Sequence, residues 1–163
     1  MVVLDASTLI LLAKIDLLPV LAEKTNILIT QEVEREALIK PRLYDAQIIA
    51  RMLDDGRIKT STEIPQGSSK TIENQFKIAA GEATALLLAR ERATALGIDD
   101  RSGIRAAKIL GVPFFTAIHV VNELHEKGRI DLETAISKLE GLRKYGRYDD
   151  RTLNEVRERL KRS

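Results

Sequence analysis

An α/β sandwich built on buried parallel strands is the fold predicted for this sequence, on three observations. Four short apolar runs, Val2-Val3-Leu4, Ile27-Leu28-Ile29, Leu96-Gly97-Ile98 and Pro113-Phe114-Phe115, are each followed by a segment with helical spacing, the alternation expected of parallel strands joined by helices. The length of 163 residues suits one domain that buries roughly two-thirds of its unfolded surface, and not two. Hydrophobic residues at 44% and charged residues at 31% argue against disorder, collagen and a membrane bundle.

The elements follow in order. The first run ends on Asp5, and the apolar stretch Thr8 to Ala13 behind it is too short to span a bilayer. An acid precedes that stretch where a signal peptide carries basic residues, so a cytoplasmic protein with no membrane contact is expected. The second run leads into a helix containing Val33-Glu34-Arg35-Glu36-Ala37-Leu38. Asp54-Asp55 before Gly56 reads as turn chemistry. Ser61 to Thr71, STEIPQGSSKT, is the clearest linker: apolar periodicity stops there, and Pro65, Gly67, Ser68 and Ser69 supply turn residues.

After Gly81, Ala83, Leu86, Leu87 and Arg90 repeat at helical spacing, with Leu88 and Ala89 widening the apolar face until the helix must be mostly buried. Ile104, Ala107 and Leu110 mark the helix after the third run. Leu132, Ala135, Ile136, Leu139 and Leu142 mark another, starting after Asp131, and Leu153, Val156 and Leu160 mark the last. Asp149, Asp150 and a Thr152-x-x-Glu155 capping-box pattern open that last helix; Arg157, Arg159, Lys161 and Arg162 close it and complement its dipole.

Composition narrows the chemistry. The absence of cysteine excludes disulfides, thiolate catalysis, thiolate zinc sites and iron–sulfur clusters. His119 and His125 are six apart and lack the spacing of a helical zinc motif, so both read as structural or surface residues. The net charge of +2, from 26 Lys and Arg against 24 Asp and Glu, neither demands nor forbids nucleic acid.

In open parallel sheets ligands bind beyond the carboxyl ends of the strands. Asp5 directly follows the first run, and Asp99-Asp100 follows the third. Glu82 opens the most buried helix between the small residues Gly81 and Ala83, and Glu36 lies on the helix after the second run. Carboxylates that converge raise one another's pKa unless a cation neutralises them. Oxygen ligands suit Mg²⁺ or Mn²⁺, which activate water and stabilise charge on phosphate. A metal-dependent phosphoryl or phosphodiester hydrolase follows if these acids meet in space. Against that, Asp99-Asp100 would also cap the helix that follows, as Asp149-Asp150 would cap the last one.

Val3-Leu4-Asp5-Ala6-Ser7-Thr8-Leu9-Ile10, Val33-x-x-Glu36, Gly81-Glu82-Ala83-x-Ala85 and Ile98-Asp99-Asp100-Arg101, in that order, resemble the PIN (PilT N-terminus) domain, the nuclease fold of VapC-type toxins. The resemblance covers roughly residues 1 to 130 and implies a three-layer α/β/α sandwich with a mostly parallel central sheet, acting as a Mg²⁺- or Mn²⁺-dependent endoribonuclease. It implies that Asp5, Glu82 and Asp100 hold the metal, with Glu36 and Asp99 completing or orienting the site. Glu82 stands where many members of the family carry Asp. Ser7 resembles the small hydroxyl residue often found beside the first acid, and reads equally as part of a helix start.

Residues 131–163 are then a C-terminal helical extension packed on a 1–130 domain, able to cover an apolar face, make a homodimer contact or receive an antitoxin-like partner. Arg101 and Arg105, one turn apart, face either a scissile phosphate or a carboxylate. Arg143, Lys144, Tyr145, Arg147, Tyr148 and Arg151 form the one basic stretch with interleaved aromatics; it reads first as a solvated helix junction and second as an RNA surface. Two rival functions are a non-catalytic PIN-like module that binds RNA or protein, and a haloacid-dehalogenase-like phosphatase. The latter wants a second Asp two residues after the first, where this sequence has Ser7.

Overall fold

The computed structural model describes residues 1–63, 67 and 69–163. Five parallel strands form one sheet: β1 (Val2–Leu4), β2 (Ile27–Ile29), β3 (Ile58–Thr60), β4 (Leu96–Gly97) and β5 (Phe114–Phe115). The spatial order is β3-β2-β1-β4-β5. Val3 pairs with Leu28 on one side and Leu96 on the other, so β1 is central and apolar on both faces. Ten helices cover the described part of the sheet: α1 (Ala6–Lys14), α2 (Leu18–Lys24), α3 (Gln31–Ala37), α4 (Tyr44–Asp54), α5 (Ser69–Phe76), α6 (Ala80–Glu91), α7 (Arg101–Leu110), α8 (Ala117–Glu126), α9 (Leu132–Tyr145) and α10 (Asp150–Arg162). The α/β class and the parallel sheet flanked by helices are as the sequence predicts.

The helix after Gly81 is the most enclosed. Every residue from Ala83 to Ala89 is buried, and α6 packs on β1 and β4 as well as on α3, α5 and α7. A helix apolar all round is stable only where neighbours surround it. On α1, Leu9 and Leu12 are buried completely, and the helix packs against β1, α2, α4, α8 and α9. No described helix is long and apolar enough to cross a membrane.

Three local expectations are corrected. The strand β3 was not foreseen: it is an edge strand whose middle residue, Lys59, is exposed, so it lacks the continuous apolar signature of its neighbours. The expected linker is shorter than Ser61 to Thr71, because α5 already begins at Ser69; Pro65 and Ser68 lie outside the described residues. The last helix starts on the Asp149 cap that the sequence predicts, but without the Thr152-x-x-Glu155 capping box. Asp149 is the N-cap and accepts the Thr152 N–H at 2.7 Å, while Glu155 pairs with Arg151 at 3.2 Å rather than closing a capping box.

Candidate active site

The strand order reverses between β1 and β4, and that switch point is where an open parallel sheet offers a crevice. The Asp5 N–H donates to the Gly97 carbonyl at 2.8 Å, which holds the two strand ends side by side. Asp5, Asp99 and Asp100 all leave the sheet at this edge.

Asp5 is only 2% exposed. Its Oδ2 accepts from the Ser7 N–H at 3.3 Å and the Ser7 hydroxyl at 2.7 Å and caps α1, whereas its Oδ1 is buried without any partner. Burial pushes its carboxyl above the usual range; the Ser7 hydrogen bonds pull the other way, and Asp100 adds repulsion. Ser7 Oγ also accepts the Asp99 N–H at 3.0 Å. One hydroxyl therefore ties both strand ends, and Ser7 serves as helix start and as the acid's neighbour at once.

Asp100 caps α7, its Oδ2 accepting from Ser102 at 3.1 Å and Gly103 at 3.2 Å. Glu82, in the first turn of α6, directs Oε2 into the interior with no hydrogen-bond partner. Burial, then repulsion from Asp5 and Asp100, raises its pKa to about 8. Glu36 is exposed on α3, yet its Oε2 would lie 2.9 Å from a Cβ at Gly81. Its pKa is raised by partial burial and then by Asp5 and Asp100. Four of the five expected acids thus form one electrostatic neighbourhood.

The chain's overall likeness points the same way. A family model described as a PIN domain matches residues 1–162. The chain belongs to the PIN-domain family. No curated protein matches it. PIN domains are generally nucleases that use divalent metal ions, and the match includes α9 and α10, beyond the stretch that carries the sequence motifs.

Close packing maintains the acid cluster of this PIN domain. A Cβ at Gly103 would meet Glu82 Oε2 at 3.0 Å and Ile98 Cδ1 at 2.2 Å. Gly103→Ala is therefore expected to destabilise the fold by about 1–3 kcal/mol, the usual cost of overpacking; an unchanged urea midpoint would contradict this packing. Thr30 and Thr84 share a buried hydroxyl hydrogen bond of 3.0 Å, with Thr84 also donating to the Gly81 carbonyl at 3.1 Å. This pair pins α3 to α6, and with them Glu36 to the helix start that carries Glu82. It was not foreseen, and its signal is a threonine inside an otherwise apolar buried helix.

Asp99 differs from the other acids. Its carboxylate accepts from Thr8 Oγ1 at 2.6 Å, from the Ala117 N–H at 3.1 and 3.2 Å, and from the Tyr148 hydroxyl. Burial raises its pKa and these donors oppose that rise. It lies in the same crevice, but its oxygens join α1, α8 and the connection between α9 and α10. Tyr148→Phe removes one donor from this partly buried carboxylate and is expected to cost about 2 kcal/mol; a thermal melt identical to wild type would exclude the assignment. The roles of Thr8 and Tyr148 escape the sequence reading because their partner is distant along the chain.

Among the described residues neither Arg101 nor Arg105 forms a close ion pair, but Arg101 faces a carboxylate at longer range: after the Thr152 hydrogen bonds, its charge helps to lower the pKa of Asp149. Arg101 lines a neighbouring hollow with Asp99, Asp100, Tyr148 and Asp149. His119 accepts the Thr116 N–H at 3.1 Å in a capping box, and His125 Nδ1 lies 3.2 Å from the Ile130 carbonyl. Both histidines have local structural roles.

The donor set suits an oxygen-preferring divalent cation. Asp5 Oδ1 and Glu82 Oε2 are buried and unpartnered, and the acids raise one another's pKa, as carboxylates without a counter-ion do. Among the described residues no three Asp, Glu or His side chains already form a cage. The fit is one of donor chemistry and charge.

Proposed function

We propose that this PIN domain is a metal-dependent endoribonuclease that hydrolyses RNA phosphodiester bonds with Mg²⁺ or Mn²⁺. The observation that carries the reading is the pair of buried, unpartnered carboxylate oxygens, Asp5 Oδ1 and Glu82 Oε2, at the switch point of the sheet.

Asp5, Glu82 and Asp100 would hold the ion. When bound, the ion neutralises the acids, activates water toward phosphorus and stabilises charge on the phosphate. Asp5 is oriented by Ser7, and Asp100 by the first turn of α7. Glu82 would have to be deprotonated to serve as a ligand. Glu36 adds negative charge at the edge of the site, and Asp99 acts as a positioning residue that locks the strand ends against α8 and Tyr148. Arg101, on the rim, offers a cation to the substrate phosphate. No side chain of the site need act as a nucleophile.

The ordered motifs around Asp5, Glu36, Glu82 and Asp99-Asp100 support a VapC-like affiliation, with a toxin role, a protein antitoxin and a homodimer as its corollaries in the cytoplasm. The lack of a ready-made cage among the described residues favours one other reading, a non-catalytic RNA- or protein-binding module. The phosphatase reading lapses with family membership, since Ser7 occupies and structurally uses the place of the second Asp. Incubation of a mixed RNA pool with purified protein decides between the two that remain: cutting with Mn²⁺ or Mg²⁺ that stops with chelator is expected. Binding without cutting at any divalent ion would establish the module instead.

A further inference from the structure

A second feature adjoins the acids. A groove of about 240 Å³ runs from Asp100 between α1 and the α9–α10 connection. Ile10 and Leu11 give it apolar lining, Tyr145 an aromatic one, and Lys14 and Arg147 stand at its edge. It is many times larger than the space one water needs and is open to solvent along its length.

Tyr145 is 44% exposed, so its ring can be reached from solvent. The Lys14 ammonium lies 5.5 Å from its ring centroid and the Lys144 ammonium 5.1 Å. Among the described residues neither Lys14 nor Arg147 is paired with a carboxylate. The neighbouring basic residues are spent otherwise, Arg143 on Glu140 and Asp150, and Arg151 on Glu155. The basic stretch therefore divides: part of it is a helix junction, and Tyr145 with Arg147 remains facing the groove.

An apolar cleft with an aromatic ring and unpaired cations, opening onto a phosphodiester-cleaving site, matches a single unpaired nucleotide. We infer that the groove between α1 and the α9–α10 connection receives an unpaired base of the RNA strand beside the cleavage point, stacked on Tyr145 in place of the Lys14 ammonium now over that ring, which moves to join Arg147 on the strand's phosphates. The inference rests on the ribonuclease reading and deepens it: Tyr145, Lys14 and Arg147 become the residues that hold one unpaired nucleotide next to the acids. It also gives the C-terminal helices a task in substrate selection.

The test is fluorescence anisotropy with a labelled single-stranded RNA of roughly ten nucleotides, and with its blunt duplex, on wild type, Tyr145→Ala, Tyr145→Phe and Arg147→Ala. Tyr145→Ala is expected to weaken single-strand binding about ten-fold and leave duplex binding unchanged, with Tyr145→Phe close to wild type. Arg147→Ala is expected to weaken binding and lower the slope of log affinity against log salt by about 0.7, one phosphate's share for a single strand. Equal losses on strand and duplex, or no loss with Tyr145→Ala, would overturn the pocket. Cleavage of the same RNA, scored separately, keeps the two readings apart. Cutting without a Tyr145 effect removes the pocket and spares the nuclease; a selective Tyr145 effect without cutting keeps the pocket and removes the nuclease.

Discussion

Asp5→Asn is expected to lower RNA cleavage at least about 100-fold, since losing even a partner that orients a metal's ligands costs up to about that much, while raising the melting temperature by about 3 °C. The two effects have one origin. Asp5 places a carboxyl at a site that is 2% exposed, with Oδ1 unpartnered, where burial penalises its charged form, so the fold gives up stability for the sake of the site. Asn caps a helix about as well as Asp, so α1 keeps its start, and the amide keeps an oxygen toward Ser7. A variant that loses activity through misfolding would melt lower, not higher. Measured melts and initial rates on one preparation separate these outcomes, and undiminished cleavage by Asp5→Asn would contradict the assignment of the site.

Glu82 gives the second large effect, a stability that declines with pH when no divalent ion is present. Its pKa rises from 4.5 in the unfolded chain to about 8 in the fold, so the folded state holds a proton that the unfolded state releases. The contribution is fully present below about pH 4.5 and is lost as pH climbs toward 8. Because the group is partly solvated, the loss is on the order of 2 kcal/mol rather than the full value of the shift. Glu82→Gln removes the titration, so urea denaturation in chelator is expected to show the variant gaining on wild type steadily across that window. Added Mn²⁺ reverses the trend for wild type, since the cation displaces the proton and binds more tightly as pH rises. Parallel pH curves for the two proteins would show that Glu82 does not carry the shift.

How legible these features are depends on whether local sequence decides them. The strands β1, β2 and β4 are continuous apolar runs because both faces are covered, and the acids at their ends are placed by chain position alone. Asp5 and Asp100 are therefore legible from chain position, whereas Glu36 and Glu82 lie on α3 and α6 and stand out through the small residues beside Glu82 and the order of the motifs. The edge strand β3 hides because Lys59 faces solvent and only Ile58 is fully buried. Asp99 could not be told from Asp100, since neighbouring acids differ only in what surrounds them. Its donors come from Thr8, Ala117 and Tyr148, brought together by the fold from three distant segments. The Thr30–Thr84 bond and the groove beside Tyr145 are hidden for the same reason: each joins elements far apart in the chain.

The central claim is that these carboxylates hold a divalent ion, and the loss of the free Mn²⁺ paramagnetic resonance signal on titration with protein measures it most directly. Wild type at pH near 8, where Glu82 releases its proton, is expected to remove Mn²⁺ from solution, and Asp5→Asn and Glu82→Gln each to bind it much more weakly. A signal unaffected by wild type, or removed equally by all three proteins, would contradict a metal site at the end of β1.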